Sequence, residues 1–205
     1  MIIPVKASNA KSRLSPVLSP AERRSLVTAL FRGLMDTLSK SGLVSTSYVV
    51  SSDGQILRLA SALGARQVPE TADSGVNAAV RAGMSAAKGS REFLVLPSDL
   101  PLLGARDLAA LLGLRAEGAR VVLAPSAAFD GTNALLFPRS PSFPLSFDRN
   151  SFWNHLAAAS RLGFPTAVCA RSGIMFDVDS PDDLRSLAAS GVRGRGAAIA
   201  RGAGR

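Results

Sequence analysis

Glu92-Phe93-Leu94-Val95-Leu96-Pro97-Ser98-Asp99-Leu100-Pro101 carries the reading of the fold. Four apolar residues in a row, with no polar alternation, suit a strand buried on both faces, and such strands sit centrally in parallel sheets covered by helices. Pro97 and Pro101 close the run, leaving Asp99 just beyond the strand's carboxyl end. In an open α/β sheet that is the edge where ligands bind.

To either side, short apolar runs alternate with helical segments, the pattern of a doubly covered sheet. The first strand is expected at Ile2 to Val5. Ser19, Pro20 and Glu22 supply a cap, a first-position proline and a capping box for a helix with buried stripe Leu26, Val27, Leu30, Phe31, Leu34, Met35 and Leu38. A strand at 46–51, a helix at 54–63, a short strand at 66–68 and an alanine-rich helix ending near Lys88 precede the central strand. A helix from about Ala105 to Ala116 and a strand from Arg120 to Ala124 follow it. After Pro125 the pattern changes. Gly131 to Phe137, a proline-rich turn, a helix from about Ser151 to Leu162 and strands near Thr166–Cys169 and Ile174–Val178 read as a substrate-side extension. Ser180, Pro181, Asp182 and Asp183 open the last helix. One α/β domain is expected over 1–190, with a mostly parallel central sheet and helices on both faces.

The remaining residues, 191–205, are rich in Gly, Ala and Arg and read as a disordered, polycationic tail without apolar periodicity. It holds Arg193, Arg195, Arg201 and Arg205, part of a formal net charge of +9. Such a charge suits nucleic acid, an acidic surface or a polyanionic small substrate. Aromatics for base stacking are few, which disfavours nucleic acid. The 205 residues contain no run of the ~18 apolar residues that a membrane span needs, and Met1 leads straight into an apolar run, so neither anchor nor signal peptide is expected. One cysteine, Cys169, and one histidine, His155, exclude an intramolecular disulfide and the usual zinc ligand set; a reducing, cytoplasmic setting fits. His155 itself reads as a surface or packing residue.

The loop after the first strand, Lys6-Ala7-Ser8-Asn9-Ala10-Lys11-Ser12-Arg13, combines three cations with small residues and suits a triphosphate. It has no glycine, so it is neither a Walker loop nor a dinucleotide fingerprint, and Lys6, Lys11 and Arg13 must meet the charge. Asp99 alone reads as well as a turn cap as a metal ligand. A second acidic run, Asp177-Val178-Asp179-Ser180-Pro181-Asp182-Asp183, shifts the balance, because magnesium sites take one or two carboxylates plus substrate phosphates. On a strand, Asp177 and Asp179 would share a face; Asp183 reads as a helix-start charge.

Ile3-Pro4-Val5-Lys6 with Ala10-Lys11-Ser12-Arg13-Leu14, Leu96 to Pro101, Gly131 to Leu135, Ser151-Phe152 and Asp177 to Leu184 together resemble the guanylyltransferases of coenzyme F420 biosynthesis, which act on phospholactate or phosphoenolpyruvate. The resemblance implies a Rossmann-like nucleotidyltransferase fold, GTP as donor, magnesium as cofactor on Asp99 and the Asp177/Asp179 pair with Asp179 preferred, and a plausible homodimer. It implies that Thr132, the backbone at Asp148 and Ser151 hold the phosphorylated acid. Where the family often has glycine, this chain has Asp148, whose carboxylate must turn away from a phosphate. Pro69 to Asn77 corresponds to the base and ribose region, with Gly75 for close approach and Asn77 for hydrogen bonds; turn and capping roles for Gly75 and Ser74 fit as well. Lys11, Arg13 and Asp99 would then carry the chemistry. The rivals are a molybdenum-cofactor or sugar-phosphate nucleotidyltransferase, which would carry a glycine-rich first loop, and a non-catalytic binding module.

Overall fold

The computed structural model describes residues 1–6, 11–72, 74–140, 142–192 and 194–203. Residues 7–10 of the first loop, Asp73, Arg193 and Arg205 therefore lie outside the described residues. Seven strands form one sheet: β1 (Ile2–Pro4), β2 (Tyr48–Ser51), β3 (Arg66–Pro69), β4 (Glu92–Val95), β5 (Val121–Pro125), β6 (Thr132–Pro138) and β7 (Thr166–Val168). Their spatial order is β3-β2-β1-β4-β6-β5-β7. All run parallel except β6, which lies antiparallel between β4 and β5 with Val95 opposite Leu135 and Leu123 opposite Leu135 on its other side.

Both faces of this sheet are buried, and strand alternation divides the side chains between them. Ile3, Leu94, Leu96, Val122, Ala124 and Leu136 belong to one core, shared with α1 (Pro20–Ser41), α2 (Gly54–Ala62) and α4 (Ala105–Ala116). Ile2, Phe93, Val95, Val121, Leu135 and Phe137 belong to the other, shared with α3 (Val76–Ala86) and α5 (Ser151–Arg161). Gly83 makes the α3 contact possible: a Cβ there would lie 2.6 Å from Cγ2 of the fully buried Ile2. The start signals of α1 are realised, Ser19 Oγ accepting from Glu22 N–H while Glu22 accepts from Ser19 N–H.

Two expectations are corrected. The apolar run Ile174 to Val178 is not a strand. It is a short helix, α6 (Ser172–Met175), followed by an extended segment whose Val178 N–H bonds to the Asp99 carbonyl. Gly173 packs too closely against Asp107 and the Leu102 carbonyl for any side chain, and Asn133 Nδ2 donates to the Ile174 and Met175 carbonyls, so the segment is pinned from both sides instead of pairing in the sheet.

The disordered tail is the second correction. After α7 (Pro181–Ala189), residues of the tail form α8 (Arg195–Gly202). Its Ala197 and Ala200 are buried in a third core with Leu14, Leu18, Leu26, Leu30, Leu184 and Leu187. Gly196 lies so close to Leu30 that a Cβ would stand 3.1 Å from it. Small residues dock this helix by bringing backbone near Leu26 and Leu30, which leaves little hydrophobic signal in the sequence. Among the described residues no helix is long and apolar enough to cross a membrane.

Candidate active site

The carboxyl ends of β1 and β4 meet the amino end of β6 at one edge of the sheet, because β6 is reversed. A cleft of about 580 Å³ opens there, lined on one side by Asp99, Asp177, Asp179 and Arg13 and on the other by Thr132, Asp148, Asn150 and Ser151. Pro4, Val76, Val95, Phe147 and Phe176 supply apolar wall.

Lys11 lies beneath the acidic side. Its Nζ donates to Asp99 Oδ2 and to Asp179 Oδ1, each at 2.5 Å, and only 9% of its side chain is exposed. Burial alone would discharge the amine, but the two carboxylates outweigh it and hold the lysine charged, above its ordinary range. Lys11 adopts left-handed backbone (φ 56°), a conformation uncommon for a non-glycine residue, at the head of a 3-10 turn over Ser12–Leu14 that turns Arg13 toward the cleft.

Asp177 differs from its neighbours. Burial pushes its carboxyl up to about 6, reinforced by Asp99 and Asp179 and only partly offset by a 3.0 Å bond from Asn133 Nδ2. Asp99 Oδ1 is buried and has no hydrogen-bond partner among the described residues. Three carboxylates thus stand near one ammonium, with one oxygen unpartnered among the described residues and one acid that gives up its proton at a higher pH than usual. Oxygen donors of this kind suit a hard divalent cation such as magnesium. Among the described residues no three ligand-type side chains stand in metal-holding geometry as they are, and the Lys11 ammonium fills the space between Asp99 and Asp179.

On the opposite side, Ser151 opens α5 and is buried, with Asn150 before it in left-handed backbone making no side-chain cap bond. The first amides of α5 therefore keep their N–H groups available to an anion in the cleft. Thr132 Oγ1 lies 3.0 Å from His155 Nδ1. Asp148 does turn its carboxylate aside: Oδ2 accepts from Asn77 Nδ2 at 2.9 Å, and Asn77 Oδ1 accepts from the Phe147 N–H. Asn77 thereby fastens the Phe147–Asp148 loop to α3. Gly75 caps α3 with φ 85°, and Lys6 is exposed beyond β1; neither these two nor Asn77 lines the cleft.

Two buried polar residues beside the cleft were not among the candidate site residues. Asn133, buried, ties Asp177 and the α6 carbonyls to β6. Of the two readings of His155, surface or packing residue, the structure bears out packing: it is 0% exposed, against Phe143 and Phe147. Asn133 falls within the Gly131 to Leu135 stretch that carries the resemblance, and His155 is the one histidine of the chain.

Residues 1–197 match the family of "Guanylyl transferase CofC like" proteins. The phosphoenolpyruvate guanylyltransferase of Rubrobacter xylanophilus is 42% identical over 193 residues, covering 93% of each chain. The 3-phospho-D-glycerate guanylyltransferase of Phenylobacterium zucineum is 36% identical, over 87% of this chain and 84% of its own. A nucleotidyl transferase structure from Methanothermobacter thermautotrophicus superposes with a TM-score of 0.66 at 17% identity, over 91% of this chain and 95% of that one, a likeness of fold alone. The family match runs through α7 into α8 and, with 42% identity over 93% of the chain to a relative of that kind, shows that the chain belongs to the CofC-like guanylyl transferase family.

Proposed function

We propose that this protein transfers a guanylyl group from GTP to the phosphate of a small phosphorylated acid, releasing pyrophosphate, in coenzyme F420 biosynthesis. Phosphoenolpyruvate is the first choice of acceptor, on the 42% identity to the Rubrobacter enzyme of that name; 2-phospho-L-lactate and 3-phosphoglycerate are the alternatives. The observation that carries the reading is the division of one cleft into an acidic side over Lys11 and an anion-receiving side at Thr132 and the start of α5.

The acceptor already bears a nucleophilic phosphate oxygen, so no protein nucleophile is required. A phosphate oxygen attacks the α-phosphorus of GTP, the bond to the bridging oxygen breaks, and pyrophosphate leaves with that electron pair. The protein's task is alignment and charge neutralisation. Thr132, Ser151 and the α5 amides hold the acceptor anion; Arg13, which lines the cleft, offsets charge on the phosphates, while Lys11 offsets charge on the Asp99 and Asp179 carboxylates. Asp99 and Asp179, with Asp177, would hold magnesium, which supplies charge neutralisation between the reacting phosphates. A cytoplasmic enzyme, as a homodimer, completes the reading.

The experiment is a panel of phosphorylated acids with GTP, followed by pyrophosphate release and mass-spectrometric identification of the product, with and without a magnesium chelator. A guanylyl diester formed with one acid and lost on chelation is expected. Release of pyrophosphate with sugar phosphates but none of the acids would refute the acceptor class.

A further inference from the structure

His155 sits at the centre of the anion-receiving side without lining it. The ring is fully buried in α5, packed 4.7 Å from Phe147 and 6.2 Å from Phe143 between ring centroids. Its Nε2 accepts a 3.0 Å hydrogen bond from the backbone N–H of Ser146. A backbone amide can only donate, so Nε2 carries the lone pair, and in a neutral imidazole the proton then belongs to Nδ1. Burial favours that neutral form, lowering the ring to about 4. Nδ1–H points at Thr132 Oγ1, 3.0 Å away. The threonine oxygen is therefore an acceptor on its buried side, and its own hydrogen is left for the cleft that Thr132 lines.

We propose that His155 is a positioning residue: its Nδ1–H fixes the Thr132 hydroxyl as a hydrogen-bond donor to the anionic acceptor, while its Nε2 ties the loop leading into α5 to the same threonine. One uncharged ring thus sets both the polarity of the β6 contact and its distance from the α5 amides. Without it, the hydroxyl can rotate and present a lone pair to an anion, which repels. The proposal rests on Thr132 being an acceptor ligand.

Steady-state kinetics of Thr132→Val, His155→Gln and the double variant test it. Glutamine can still accept from the Ser146 N–H while vacating the donor position at Nδ1. The acceptor KM should rise roughly tenfold or more in Thr132→Val and about threefold to tenfold in His155→Gln, with the GTP KM unchanged. The double variant should be no worse than Thr132→Val alone, because His155 acts through that hydroxyl. If both single variants raise the acceptor KM and their effects multiply, His155 is merely structural and the proposal falls. If Thr132→Val leaves the acceptor KM unchanged, the acceptor-ligand reading has failed and this proposal with it. Nitrogen-15 NMR of the wild-type imidazole provides a check that needs no variant to fold: a protonated Nδ1 supports the proposal, and a protonated Nε2 overturns it.

Discussion

Val178 N–H donates to the Asp99 carbonyl oxygen at 3.2 Å. That bond joins two acidic segments distant in sequence, so the spacing of Asp99, Asp177 and Asp179 is fixed by backbone and not by flexible side chains. Asp99→Asn should lower turnover at least about a hundredfold in a protein that still folds, since the amide keeps the size but not the charge; taking a carboxylate from the buried Lys11 should lower its melting temperature as well. Asp179→Asn should cost more than Asp177→Asn. Near-normal turnover of the Asp99 variant at saturating magnesium would refute the metal role.

Lys11 neutralises Asp99 and Asp179 from below. Removing one partner of a buried pair costs roughly 3–5 kcal/mol, and the low end applies because Asp179 is half exposed. Lys11→Met should therefore melt several degrees lower in the presence of chelator and regain stability on adding magnesium, more than the wild type does. Equal magnesium responses in the two proteins would show that the carboxylates bind no cation.

His155 gives a pH dependence with a definite sign. Its pKa falls from 6.5 to about 4 on folding, so between those values the unfolded chain binds more protons. The stabilising neutral state is fully expressed above pH 6.5 and lost as pH falls toward 4, a loss of up to about 3 kcal/mol. Denaturant melts at pH 7 and pH 4.5 should show the drop, and His155→Gln should flatten this part of the profile. Identical slopes in the two proteins would count against the buried neutral ring.

Deleting residues 191–205 strips α8 from Leu26, Leu30 and Leu187. With two to four apolar side chains uncovered, a loss of roughly 5–10 °C in Tm is expected by differential scanning calorimetry. An unchanged Tm would mean the helix does not dock in solution.

Gly83→Ala sets two effects against each other. Alanine is favoured over glycine in a helix by about 1 kcal/mol. Its methyl would meet buried Ile2 at 2.6 Å, and overpacking typically costs about 1–3 kcal/mol. Net destabilisation is expected in urea titration; stabilisation would show that α3 shifts freely on the sheet.

The central strand, the mostly parallel sheet around it, the Ser19 capping box and the Ser180 cap were legible because caps, prolines and buried runs are local signals. Asp99, Asp177 and Asp179 stood out as carboxylates closing apolar runs, and Thr132 and Ser151 through the family resemblance; the structure brings all five to one cleft. What was hidden depends on packing between distant segments. Ile174 to Val178 is a mostly apolar run that reads as a strand, yet Asn133 and Gly173 impose another path. The α8 helix docks through Gly196, Ala197 and Ala200, which patterning reads as linker. Asn77 has the chemistry of a ligand, but its amide is taken up by Phe147 and Asp148.

The reversed direction of β6 also limits how this enzyme can change. Thr132 is the first residue of a strand whose next six residues are buried in the sheet core. Insertions there would shift the register of the whole strand and exchange its side chains between the two cores it packs against. A descendant selecting a different acid must therefore proceed by replacement at Thr132 or by remodelling the hairpin over 126–131 and the loop over 145–150, whereas the nucleotide side, fed by loops that follow strands, can accept added length. Donor preference and acceptor preference are thus open to different kinds of mutation within a single cleft.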